Sequence, residues 1–138
     1  MLKFPKKTKY KKQHKGSLPN FIINDVSSNV LNYGSIGLKA AEYGFINSRQ
    51  LEAVRQCISK IIKKSGLLRM NVFPHTPVSK KPLEVRMGKG KGNVDHWVFK
   101  VRPGFVICEI ETSSSILGRK ALRLAQNRLP FKTVIISE

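Results

Sequence analysis

The apolar positions of this chain change period several times, and each change marks an element. From Asn47 to Lys64 the residues Leu51, Val54, Ile58 and Ile61 recur at helical spacing, with Ile62 widening the stripe. This predicts an amphipathic helix. Asn47 is a good N-cap, Gln50 sits at capping-box distance from it, and Gly66 is the expected stop. About 17 residues would give roughly 25 Å of helix. A second helix is predicted from Ile116 to Arg128, capped within Ser113-Ser114-Ser115 and ended by Pro130. Leu117, Ala121, Leu124 and Ala125 form its expected buried stripe.

Elsewhere the period is two. Gly34 to Gly44 predicts one strand, with Ile36, Leu38 and Ala40 on one side. Leu67 to Phe73 predicts another, after which Pro74, Pro77 and Pro82 should break regular structure. Asp95–Val101 and Phe105–Ile110 predict a hairpin, because Pro103-Gly104 suits the central positions of a type II turn. Trp97, Phe99 and Val101 alternate on the first strand, and Val106, Cys108 and Ile110 on the second. Trp97 is expected to be a core anchor. Phe131 to Ser137 predicts a last strand around Val134, Ile135 and Ile136. Ser17 to Tyr33 has no clear period and is expected to be a loop with one short extended piece. No solenoid-length repeat is present. The expected fold class is α+β, with antiparallel strands packed against two α-helices in one domain over residues 17–138.

One stretch fits neither period. Arg86-Met87-Gly88-Lys89-Gly90-Lys91-Gly92, within the loop 83–93, interleaves glycines with lysines. Glycine has nothing to pack and is costly to order, and lysine is a solvated point charge that seeks anions. Such a loop in a patterned domain reads as functional. Folded back on itself, it would reach about 16–20 Å from the body.

Charge sharpens this picture. The chain has 138 residues, 41% of them hydrophobic, enough for a core. Its 26 Lys+Arg against 8 Asp+Glu give +18, an excess that points to a polyanion, most simply nucleic acid; an anionic membrane surface is the weaker alternative. Residues 1–16 form a basic arm with Phe4, Tyr10 and His14 interleaved among Lys6, Lys7, Lys9, Lys11, Lys12 and Lys15. Aromatics can stack on bases, so an arm that orders on RNA is favoured over a solubilising tail. Arg49, Arg55, Lys60, Lys63 and Lys64 on the first helix, and Arg119, Lys120, Arg123 and Arg128 on the second, lie mostly off the apolar stripes. Those of the first helix serve equally as a solvated face or as RNA contacts.

Other chemistries lack parts. The glycine–lysine loop is not G-x-G-x-x-G, and no Ser or Thr follows a Gly-Lys pair as a phosphate-cradling loop requires. His14, His75 and His96 have no metal-ligand spacing with a Cys or carboxylate. Cys57 and Cys108 lie far apart in apolar segments and suggest buried thiols in a reducing compartment. No carboxylate pair accompanies a histidine. No apolar run reaches the roughly 18 residues needed to span a bilayer, and the basic N-terminus lacks the apolar core of a secretory signal and the composition of an obvious organellar presequence.

Several runs then occur in a recognisable order: Gln13-His14-Lys15-Gly16, Gly34-Ser35-Ile36-Gly37-Leu38-Lys39-Ala40, Arg49-Gln50-Leu51-Glu52-Ala53, Val72-Phe73-Pro74, Lys81-Pro82 through Asn93-Val94 with its Arg86-to-Gly92 core, Trp97-Val98, and Leu129-Pro130-Phe131-Lys132-Thr133. Together they resemble bacterial-type large-subunit ribosomal protein sixteen, of the universal family that includes the archaeal and eukaryotic protein ten, over nearly the whole chain. The resemblance implies a non-enzymatic protein without metal or cofactor, monomeric within the ribosome. Its expected partners are large-subunit rRNA, neighbouring large-subunit proteins and aminoacyl-site tRNA near the peptidyl-transferase centre. It places Arg86, Met87, Gly88, Lys89, Gly90, Lys91 and Gly92 nearest tRNA, the glycines serving close approach. The arm residues Lys6, Lys7, Lys9, Tyr10, Lys11, Lys12, His14 and Lys15, and Lys39, Arg49, Arg55, Lys60, Lys63, Lys64, Arg119, Lys120 and Arg123 on the body, are the candidate rRNA contacts.

The chain departs from that family's pattern in places. Ser17 to Tyr33 is longer and Asn/Ile-rich, Arg69 stands where Trp is usual, Asn71 where Arg is usual, and Thr112-Ser113-Ser114 where Asp-Gly is typical. These affect local rRNA contacts rather than the fold. The Lys/Asn/Ile/Ser bias and the absent presequence suggest an organelle-encoded copy, and the wording of the loop resembles a mitochondrial one, with a plastid or a bacterial cytoplasm as alternatives. The rival functions are a free-standing RNA chaperone and a nucleotide-using RNA enzyme.

Overall fold

The computed structural model describes residues 4–14, 16 and 31–137. Lys15, and most of the Ser17–Tyr33 stretch expected to loop, lie outside them. The element order is β1 (Ile36–Ala40), β2 (Gly44–Asn47), α1 (Ser48–Ile62), β3 (Gly66–Met70), β4 (Thr76–Lys80), β5 (Asn93–Val101), β6 (Val106–Thr112), α2 (Ser115–Gln126) and β7 (Thr133–Ser137). The strands form two antiparallel sheets, ordered β3-β6-β1-β7 and β2-β5-β4. Two helices on antiparallel strands make this the expected α+β fold.

Helix α1 ties the two sheets together. Its Val54, Ile58 and Ile62 pack with Ile36, Leu38, Cys108, Ile110, Ala121, Leu122 and Ala125 under the four-stranded sheet. One turn earlier, Leu51 belongs to a second cluster with Ala40, Ile46, Val72, Val101 and Ile107. The capping residues behave as their spacing predicts: the Asn47 N–H donates to Oε1 of Gln50 at 2.9 Å. The helix stops earlier than expected. Lys63, not Gly66, takes the left-handed backbone (φ 52°), and its N–H donates to the Ser59 carbonyl at 2.9 Å. Gly66 instead opens β3, where a Cβ would stand 2.5 Å from the Glu111 carbonyl oxygen.

Four expectations are corrected. The strand expected from Gly34 to Gly44 is two strands that enter different sheets. The expected hairpin has its turn but not its pairing. Gly104 has φ 86° and the Phe105 N–H donates to the Arg102 carbonyl at 3.2 Å, yet β5 and β6 leave for different sheets. The end of β1 takes the place of a hairpin partner: the Ala40 N–H donates to the Phe105 carbonyl (2.9 Å), and its own carbonyl accepts from Gly104 (2.8 Å). Third, Pro77 does not break structure. It lies within β4, in register with Trp97, on the edge of its sheet, where a missing N–H is tolerated. Trp97 itself is only half-buried, while Val98 and Val101 turn inward.

The fourth correction concerns α2. Leu117 and Leu124 are exposed, and the buried stripe is Gly118, Ala121, Leu122 and Ala125. Close approach explains the shift: a Cβ on Gly118 would stand 2.9 Å from Cδ1 of Ile36. Small residues let the helix sit down on β1, and bulky leucines one position away stay outside. Among the cysteines, Cys108 is buried as expected and Cys57 is half-buried; neither forms a disulfide.

Candidate nucleic-acid interface

The glycine–lysine loop joins the edge strand β4 to β5 and is exposed almost throughout; Leu83 is 96% and Met87 97% exposed. Its apolar side chains therefore contribute nothing to the core. The glycines divide into two kinds. Gly88 (φ 101°), Lys89 (φ 53°) and Gly90 (φ 89°) form a left-handed run, and a Cβ on either glycine would meet nothing within 4 Å. Here glycine supplies backbone conformation, not room. Gly92 is the close-approach glycine: a Cβ there would lie 2.5 Å from the Lys80 carbonyl oxygen, at the base where β4 and β5 meet.

Lysines brace the loop through its own carbonyls. Lys81 Nζ donates to the Gly88 carbonyl across the loop. The N-terminal arm supplies the other brace. Lys91 Nζ donates to the Gln13 carbonyl at 2.6 Å, and Lys12 Nζ donates to the Lys91 carbonyl at 2.8 Å. Arm and loop, separated by 79 positions at the Lys12 contact, thus make one composite surface. In these contacts the ammonium groups meet only neutral carbonyls, so their charge is not cancelled. Phe4 and Tyr10 of the arm are 58% and 62% exposed, and Lys9 Nζ sits 5.5 Å from the Tyr10 ring centroid. These aromatics are not committed to packing.

At the base of the loop, Asp95 pairs with His96 at 2.8 Å. That hydrogen bond, with help from His96, Lys80 and Arg49 as charges, holds the Asp95 carboxyl below its ordinary value. Arg49 thereby belongs to the loop side of the molecule. The other body candidates scatter. Arg55 is engaged by Glu52, its Nε donating to both carboxylate oxygens at 3.1 Å and Nη2 to one at 2.5 Å; the pair drives Glu52 down to about 2 and Arg55 up. Arg119 donates to Ser137 Oγ at 3.0 Å. Lys60, Lys63, Lys64, Lys120 and Arg123 are exposed on the helices or just beyond them, and Lys39 is half-buried in β1. Lys6, Lys7, Lys9, Lys11, Lys12 and His14 are exposed along the arm.

The thiol of Cys108 is pushed up to about 12 by burial and by Glu109 beside it, so it stays protonated. Among the described residues no group of three or more His, Cys, Asp or Glu is placed to hold a metal, and no helix is long and apolar enough to cross a membrane.

The sequence model of the family described as ribosomal protein L16p/L10e matches residues 5–136. This chain belongs to that family. The loop and both helices fall inside the match, with all of the arm from Pro5 onward and every strand but the last residue of β7. The L16p/L10e chain is 46% identical over 132 residues to large ribosomal subunit protein uL16 of Xylella fastidiosa (strain 9a5c), covering 96% of this chain and 94% of that one. The same-named proteins of Karelsulcia muelleri (strain GWSS), 46% identical over 132 residues, and Acinetobacter baumannii (strain SDF), 45% over 133, are each covered to 95% by 96% of this chain. Membership of this family makes the chain a structural ribosomal-family protein and not an enzyme.

Several contributors were not legible in the sequence. Nothing in it ties Gln13 or Lys12 to Lys91, and Lys81 carried no sign of reaching back to Gly88. Glu109 did leave a signal, a carboxylate inside the apolar run of β6.

Proposed function

We propose that this chain is a structural constituent of the large ribosomal subunit that binds large-subunit rRNA through its arm and body, and helps position aminoacyl-site tRNA through its glycine–lysine loop. The observation that carries the reading is the Lys12–Lys91 link, which joins arm and loop into one exposed cationic surface. Uncancelled lysines, exposed aromatics and a net charge of +18 are the chemistry of phosphate neutralisation and base stacking. In this reading Arg86, Met87, Lys89 and Lys91 face tRNA near the peptidyl-transferase centre, and Lys6 to Lys15 thread into rRNA. Neighbouring large-subunit proteins complete the surroundings of a single copy.

Sedimentation of large subunits in high salt tests the proposal. Co-migration at one copy per subunit is expected. Release into the supernatant would sink it and favour a free-standing RNA chaperone. The Lys/Asn/Ile/Ser bias supports a mitochondrial ribosome as the location, whereas the relatives named above are bacterial. Fractionating the source cell and probing each ribosome population decides the compartment, and absence from the mitochondrial one would overturn the mitochondrial placement.

A further inference from the structure

The outer face of β3 carries a feature that neither arm nor loop accounts for. β3 is an edge strand of the four-stranded sheet. Leu68 and Met70 pack inward, while Leu67 and Arg69 are exposed. The Arg69 guanidinium lies over the ring of Tyr33, 4.6 Å from its centroid. Tyr33 is 57% exposed, so the ring is displayed rather than packed away.

The stack is organised from beneath by one carboxylate. Glu109 faces Arg69 in the β3–β6 register and is only 2% exposed. Its Oε2 accepts the backbone N–H of Asn32 (3.1 Å), Tyr33 (2.7 Å) and Gly34 (3.1 Å), and its Oε1 accepts Nδ2 of Asn71 at 2.7 Å. A buried carboxylate is costly unless its lone pairs are satisfied, and these four donors satisfy it. They also fix two pieces of chain to one point: the backbone at Tyr33, and the exit of β3 two residues past Arg69. Gly34 seals the arrangement, since a Cβ there would stand 2.7 Å from the Ile110 carbonyl oxygen. The backbone that carries the ring, and the strand that carries the guanidinium, are therefore fixed before any ligand arrives. Open grooves run along β3, one lined by Lys64, Leu67 and Glu111, another by Arg55, Lys63 and Leu68.

We propose that the Tyr33–Arg69 stack is a platform for an unstacked RNA base, with the guanidinium edge taking the adjoining phosphate. Single-stranded bases are recognised by stacking on aromatic rings and guanidinium planes, and a platform whose backbone is fixed in advance loses little loop entropy on binding. Lys63 and Lys64 beside the strand favour a polyanion over a protein surface as the occupant. The proposal rests on the RNA-binding reading above and adds a site distinct from the loop.

The test uses the full chain and two RNA probes: a hairpin carrying aminopurine in its single-stranded loop, and a blunt duplex of the same composition. The unsubstituted chain should bind both and quench the aminopurine. Tyr33→Ala should bind the hairpin roughly 5–150-fold more weakly, the range for losing one stacked base, with reduced quenching and unchanged duplex binding. Tyr33→Phe should retain both signals, and Arg69→Gln should weaken the hairpin alone. Wild-type affinity and quenching in Tyr33→Ala would overturn the platform and leave the RNA reading standing. Failure of the unsubstituted chain to bind either probe would overturn the RNA reading and the platform with it.

Discussion

Lys12 and Lys91 bridge arm and loop in both directions: Lys12 Nζ donates to the Lys91 carbonyl at 2.8 Å, while Lys91 Nζ donates to the carbonyl of Gln13, next to Lys12, at 2.6 Å. Two like charges brought into one region repel each other. Hydrogen bonds to neutral carbonyls offset that repulsion without removing the charge. A polyanion removes it, so arm docking and RNA binding should strengthen each other.

The first prediction follows from that coupling. In free protein, Lys12→Ala with Lys91→Ala should release the arm, seen as faster tryptic cleavage around Lys9 and Lys11 with no change in melting temperature. On rRNA, the double variant should lower the salt slope of binding by roughly 0.7–0.9, the loss of the one phosphate contact that Lys12 supplies. Unchanged arm cleavage would mean the two lysines do not hold it.

The loop glycines should separate in a stability assay. Gly92→Ala drives a Cβ to 2.5 Å from backbone at the β4–β5 base, an overpacking of about 1–3 kcal/mol, and calorimetry should show a melting temperature lower by several degrees. Gly88→Ala and Gly90→Ala meet open space but force a side chain into left-handed backbone at about 1–2 kcal/mol. Because the loop is exposed, that cost should appear as a changed loop conformation and weaker RNA binding, with the melting temperature nearly unmoved. Equal melting shifts for all three would contradict the division.

How much of this was readable beforehand depends on the range of the interaction. Asn47 and Gln50, three residues apart, announced the start of α1, and the stripe Leu51–Val54–Ile58 announced its buried face. The turn at Pro103-Gly104 was equally local. What the strands on either side of it pair with was not, because the competitor for the hairpin is Ala40, more than sixty positions upstream. The phase of α2 failed for a related reason. Ala121 and Ala125 were read correctly, but apolar bulk at Leu117 and Leu124 outweighed the small size of Gly118 on a pattern argument, whereas the close approach to Ile36 selects the face that carries Gly118. The loop was legible as a cationic, unpacked segment; its partner Lys12, and the platform organised by Glu109, depend on contacts that no local spacing encodes.

That correction of α2 gives a third prediction. Leu122 is fully buried and Leu124 is 45% exposed, two residues apart on one helix. Leu122→Ala should destabilise by about 2–5 kcal/mol through lost burial and the cavity left behind. Leu124→Ala should stay within roughly 0.5 kcal/mol, as surface substitutions usually do. Denaturant midpoints measure both, and a larger loss at Leu124 would restore the stripe first read from the sequence.

Glu52 and Arg55 supply the last prediction, which concerns pH and RNA together. The hydrogen bonds from Arg55 hold Glu52 at about 2, against its usual 4.5. A carboxyl depressed on folding adds stability above its ordinary pKa and loses it as pH falls through the folded value. The stability difference between the native chain and Glu52→Gln should therefore be constant near neutrality, shrink between about 4.5 and 2, and vanish below. It should be small, since the pair is open to solvent and screened. The same substitution releases the Arg55 guanidinium from its only ion pair among the described residues and adds one unit of net positive charge. If Arg55 can reach rRNA, Glu52→Gln should raise affinity and steepen the salt slope by roughly 0.7–0.9, while a plain solvated face would leave that slope unchanged. Urea midpoints across a pH series and rRNA titrations across a salt series measure the two effects separately. A slope that does not move would remove Arg55 from the RNA-contacting set and leave its role as the partner of Glu52.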